Sequence, residues 1–105
     1  MIFHHIIDEI SASKFLTISQ IRQVKLKLYR LEMTERERLT THEQNFNQII
    51  EDLKKLGVKM GEEQKALMFV ASLPKELAHA VKSKIRNEKK LTLARVQDAA
   101  GEVRE

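Results

Sequence analysis

The sequence has no cysteine and no tryptophan, one proline, three glycines and one tyrosine among 105 residues. Without cysteine there are no disulfides, thiolate metal sites or cysteine nucleophiles, as in chains of reducing compartments. So few turn-formers and aromatics leave little material for a sheet of short strands; they favour long helices joined by short loops. No apolar run approaches the roughly 20 residues a membrane span needs. The opening MIFHHIIDEI has carboxylates inside its apolar stretch and no basic flank, unlike a signal peptide. The expectation is a cytoplasmic chain, with a nuclear location also open, and no membrane partner.

Hydrophobic residues make up 42% and charged residues 32%, a balance that suits a folded single domain. Nineteen basic against 15 acidic groups leave +4, and the surplus is uneven: residues 74–105 hold eight basic and five acidic groups. An excess of this size helps to hold an acidic partner without identifying one.

Every clear periodicity is helical. TISQ reads as a capping box with Thr17 at the N-cap, opening a helix whose stripe is Ile21, Val24, Leu28 and Leu31. Residues 2–10 read as a separate short helix, so residues 1–16 are an N-terminal helix or extension and 17–105 the domain. MTERER reads as a connection. Thr40 and Glu43 then form a cap pair for a helix with the face Phe46, Ile49, Ile50, Leu53 and Leu56, the cleanest apolar pattern in the chain. Gly57 is placed for a left-handed C-cap. Glu62 and Glu63 mark the next start, with Ala66, Leu67, Val70 and Leu73 inward. Pro74 opens the following helix as its first residue, with Leu77, Ala78, Val81 and Ile85 inward. Thr92 caps the last one, whose inner side is Leu93, Val96, Ala100 and Val103, with Leu91 and Val96 as a staple. The fold class is therefore all-α: a compact bundle of five or six short helices.

Residues 26–74, LKLYRLEMTERERLTTHEQNFNQIIEDLKKLGVKMGEEQKALMFVASLP, carry a recognisable order of features. A leucine-rich helix ends at Leu31 to Met33. The acidic loop Glu35 to Glu37, His42 with Phe46, Gly57, Glu62 with Glu63 and Ser72-Leu73-Pro74 follow, and LTLARVQDAAGEVRE closes the chain. From about residue 20 onward this resembles the Gag polypeptide of Ty1/copia-type LTR retrotransposons. Glu37, Leu39, His42 and Phe46 also have the spacing of the retroviral capsid homology region, with His42 where an aromatic usually stands and Met33 in place of the preceding Gln. The first twenty residues differ from the family's N-terminal capsid half, and no zinc knuckle is present. The resemblance implies a capsid-like fold and a structural protein, not an enzyme, that self-associates into a virus-like shell around element RNA. It also implies that Glu37 anchors the loop before the His42 helix. Two alternatives stand beside it: a domesticated capsid-derived dimerisation or interaction module, and a small basic RNA-binding helical domain.

The candidate sites follow from these readings. His4, His5, Asp8 and Glu9 are metal-capable types at helical spacing, but zinc takes three or four converging ligands and no second cluster supplies them. They read as exposed polar residues. His42 with Glu37 or Glu43 lacks a serine or cysteine elbow, a paired-carboxylate constellation or a phosphate loop, so catalysis, a cofactor and a small-molecule substrate are not expected. Met33, Met60 and Met68 read as apolar filler. Lys82, Lys84, Arg86, Lys89 and Lys90 form the densest basic cluster. It is a candidate for non-specific RNA phosphate contact, though a solvated helix side is the stronger reading of the same residues and no aromatic platform lies near. Arg22, Lys25, Lys27 and Arg30 read as a solvated side. Met68 and Phe69, beside the inner stripe, are the candidates for exposure and homo-oligomer contact.

Overall fold

A computed structural model describes the backbone of residues 2–104 and the side chains of residues 16–104. It contains five α-helices, α1 (Ile2–Arg30), α2 (Leu39–Lys55), α3 (Glu62–Ala71), α4 (Lys75–Ile85) and α5 (Leu93–Arg104), and no strand among the described residues. The all-α expectation stands. Helix α5 packs against α3, α4 and α2, and α1 packs against α2.

Helix α1 is one helix where the sequence reading expected two. Nothing between residues 2 and 30 is a glycine or a proline, so no residue there breaks the backbone ladder. Thr17, expected as an N-cap, lies inside it. At 1.5 Å per residue, 29 residues span about 43 Å, which accounts for most of the molecule's 63 Å long axis.

Helix α2 begins two residues earlier than the Thr40–Glu43 pair required, with Arg38 at its N-cap and no side-chain cap. Its end is as expected. Gly57 adopts φ +85°, its N–H donates to the Lys54 carbonyl at 3.0 Å, and Val58 N–H donates to the Leu53 carbonyl at 2.9 Å. These paired bonds are a Schellman motif, which satisfies carbonyls that the helix end would otherwise leave open. Pro74 sits one position before its expected place, at the N-cap of α4. Thr92 does cap α5, its hydroxyl accepting the Arg95 N–H at 3.2 Å. The adjacent Leu93 N–H donates to the Glu62 carboxylate at 3.2 Å, so the first residue of α3 also holds the start of α5.

The core is centred on Phe46, Leu53, Phe69, Val81 and Val96, all essentially without exposure. Phe46 and Phe69 meet edge to face, centroids 5.1 Å apart at 82°, an arrangement the ring quadrupole favours. Ile49, Ile50 and Leu56, expected inward on α2, are only half-buried. Two expectations fail on α3. Phe69, expected outside, is 0% exposed, while Leu67, expected inside, is 54% exposed. Residues 66–71 are all apolar, so periodicity has no polar contrast there to fix the face. The true stripe is Ala66, Phe69, Val70 and Leu73, with Met68 half-buried beside it. Val103 at the end of α5 is likewise exposed rather than inward.

Truncation of Phe46 to alanine is expected to cost about 3–5 kcal/mol, read by denaturant unfolding. Leu67→Ala should stay within about 0.5 kcal/mol. A larger effect at Leu67 than at Phe46 would contradict this core.

Candidate functional site

The described core holds two buried polar side chains, His42 and Ser72, and they bond each other. His42 lies in the first turn of α2 and Ser72 is the C-cap of α3. His42 Nε2 and Ser72 Oγ are 2.8 Å apart. Ser72 Oγ also donates its proton to the Phe69 carbonyl. A hydroxyl has one proton, so the oxygen accepts from His42, and His42 carries its proton on Nε2. The Ser72 carbonyl then accepts the Met33 N–H at 2.8 Å. One residue thereby joins the end of α3, the start of α2 and the connection that leaves α1. The imidazole also packs on Phe69 at 5.6 Å between centroids.

On the far side of the ring, Nδ1 is buried without a hydrogen bond, and Glu37 Oε1 stands 3.6 Å from it. That distance is too long for a hydrogen bond. Burial holds the His42 imidazole below its ordinary value, against a smaller upward pull from the Glu37 carboxylate. Glu37 is therefore turned inward beside a neutral ring, with its own N–H donating to the Thr34 carbonyl at 3.2 Å. Leu39 packs half-buried on the core and Phe46 lies within it. The four homology-region positions thus gather at one corner of the molecule, where α2 begins.

In order, Ser72, His42 and Glu37 imitate a nucleophile, base and acid row. The geometry puts them to another use. The serine proton is committed to a backbone carbonyl, the ring is fully buried, and neither residue lines any of the larger surface clefts. A nucleophile must meet a substrate carbonyl. This row binds helices together.

A cleft of about 810 Å³ lies beside this corner and is lined by Glu37, Arg38, Glu43, Asp98, Glu102 and Arg104, among others. Burial and the nearby Asp98 raise the Glu43 carboxyl. Among the described residues, no group of three or more His, Asp or Glu side chains converges as metal ligands. His4, His5, Asp8 and Glu9 lie outside the described side chains. Sequence reasoning missed Ser72 as a partner of His42, because thirty residues separate them. Its only signal was a serine placed directly after an apolar helix.

Lys82, Lys84, Arg86, Lys89 and Lys90 are all exposed on α4 and the turn after it. Lys84 is tied to Glu102 of α5 at 3.2 Å. Arg95 joins Glu88 and, at 3.6 Å, the same Glu102, so part of this basic region is neutralised in place. Arg104 reaches back from α5 to the Glu35 carbonyl and, at 3.7 Å, to Met33 Sδ, holding the α1–α2 connection from its other side. Met33 is itself buried. No helix among the described residues is long and apolar enough to cross a membrane.

The chain belongs to the family described as gag-polypeptide of LTR copia-type, whose model matches residues 4–105. It is thus a Gag-type structural protein, and the family pattern reaches back to residue 4 rather than beginning near residue 20. Neither a curated protein nor a solved structure matches the chain.

Two measurements check the joint. Ser72→Ala leaves the His42 Nε2 proton buried without an acceptor and is expected to cost about 1–3 kcal/mol. Stability should also depend on pH. The folded-state His42 value is depressed below the ordinary 6.5, so the unfolded chain takes up this proton first as pH falls. The His42 contribution is complete above pH 6.5 and is lost progressively below it, down to the folded-state value. Unfolding free energy measured from pH 7.5 to 5 should fall in the wild type with a steeper slope than in His42→Gln. Equal slopes would contradict a buried neutral imidazole.

Proposed function

We propose that this protein is the capsid-type unit of a copia-type retrotransposon Gag, self-associating into a shell that packages element RNA in a cytoplasmic particle. The observation that carries the reading is the family match over residues 4–105. Physical features support it. A shell unit needs a rigid body that repeats the same contacts under symmetry, and no reaction centre. Ser72 and Arg104 lock the joint between α1 and the rest of the molecule from two sides. Individual contacts in a shell can be weak, because many copies act together through effective concentration.

Phosphate contact falls to the exposed Lys82, Arg86, Lys89 and Lys90, with Lys84 engaged by Glu102. With no Phe, Tyr or Trp on α4 or in the turn after it, such contact reads charge rather than sequence.

Sedimentation velocity at rising protein concentration, at low and high salt, with and without single-stranded RNA, tests the reading. Concentration-driven assembly that survives high salt is the expected result, with RNA increasing particle yield at low salt. A strict monomer at millimolar concentration under every condition would contradict the shell function. Assembly only with RNA, abolished by salt, would instead favour a basic RNA-binding domain. For the cluster itself, the fourfold Glu replacement of Lys82, Arg86, Lys89 and Lys90 should reduce RNA affinity and flatten its salt dependence. An unchanged salt slope would remove these residues from the interface.

A further inference from the structure

With Phe69 inside the core, α3 turns a different face to solvent. Glu63, Leu67 and Ala71 are all exposed, and at 100° per residue they fall within about 80° of arc. Leu67 is 54% exposed. It stands about 160° around the helix from Phe69, whose ring meets Phe46 of α2. This face therefore points away from α2 and cannot fold back onto it.

A second surface complements the first. Helices α1 and α2 enclose a groove of about 680 Å³, lined by the apolar Leu26, Leu31 and Ile49 and by the exposed Lys27 and Arg30. No carboxylate lines it. Among the described residues, Lys27, Arg30 and Glu63 have no ion-pair partner. The spacing also matches. Leu26 and Arg30 are one turn apart on α1, as Glu63 and Leu67 are on α3, in the opposite order along the chain.

Resting on the self-association reading, we infer that the exposed face of α3 in one copy docks in the α1–α2 groove of the next, with Leu67 on Leu26 and Glu63 between Lys27 and Arg30. The reversed order of the two pairs sets α3 antiparallel to α1. The two surfaces are different and face different ways, so the contact is head-to-tail: each copy gives one face and receives another. Such contacts continue past the dimer until a ring or lattice closes. A ten-residue helix spans about 15 Å, so the contact is small, weak between two copies and effective among many. A nucleic acid would pair with Lys27 and Arg30 but leave Leu26 and Leu67 in water; a second copy covers both.

The test uses the full chain in sedimentation equilibrium, with circular dichroism as a folding check. Lys27→Glu with Arg30→Glu, and separately Glu63→Lys, should each lower the association constant about tenfold or more, because like charges then oppose across the contact. The triple variant should recover it, as should an equimolar mixture of the two, in which every face meets a groove of opposite sign. Because the chain has no cysteine, single thiols report the pairing. Mild oxidation of mixed Leu26→Cys and Leu67→Cys chains should link one kind to the other, whereas mainly like-to-like links would overturn the inference. If the wild type associates and both reversals associate equally well, this interface is wrong while the assembly reading survives. Loss of association without recovery in the triple variant or the mixture also overturns it. If the wild type is monomeric throughout, both readings fail. A groove reversal that lowers RNA binding and leaves association unchanged would assign the groove to nucleic acid instead.

Discussion

Ser72 is the point on which the rest of the structure depends. Its hydroxyl accepts from His42 and donates to Phe69, and its carbonyl accepts from Met33. Three segments distant in sequence meet at one residue that is almost fully buried. A buried polar group without a partner costs more than its hydrogen bond yields in net stability. The arrangement therefore penalises every alternative placement of α2 against α3, which gives it value for specifying one geometry. A protein that must present identical contacts many times needs that uniqueness more than it needs additional stability.

The same physics explains why a row resembling a catalytic relay is inert as chemistry here. Catalytic groups are poised by leaving some bonding capacity toward a substrate. Ser72 has committed its proton, and His42 directs its own proton into Ser72. The one open lone pair, on the buried Nδ1, meets the partly exposed Glu37 carboxylate at 3.6 Å. Glu37 is thus positioned to receive a charge that burial keeps off the ring. Glu37, expected to anchor the loop before α2, faces this uncharged ring at 3.6 Å.

Much of the fold was legible in the residues, and the departures have identifiable physical reasons. The end of α2 could be read because Gly57 alone among its neighbours tolerates a left-handed turn. The inner face of α4 could be read because Leu77, Val81 and Ile85 recur every four residues, with Lys82, Ser83 and Lys84 between the last two. The face of α3 could not, because six apolar residues in a row carry no phase. The break expected at Thr17 failed because a capping signature is only an invitation; without glycine or proline behind it, the helix continues through. At the candidate site, Glu37, His42 and Phe46 were visible as a spaced set along one segment, whereas Ser72 entered only through a long-range contact. Single-sequence periodicity reports faces of elements, and it is silent on which faces meet.

The most direct test of this account is the protonation state of His42, read by long-range proton–nitrogen correlation in a nitrogen-15-labelled sample at pH 7.5. The account predicts a neutral ring with its proton on Nε2 and a bare Nδ1, titrating below 6.5, with the Nε2 shift altered by Ser72→Ala. A proton on Nδ1 facing Glu37, or a ring already charged at pH 7.5, would contradict the hydrogen-bond direction on which the joint rests.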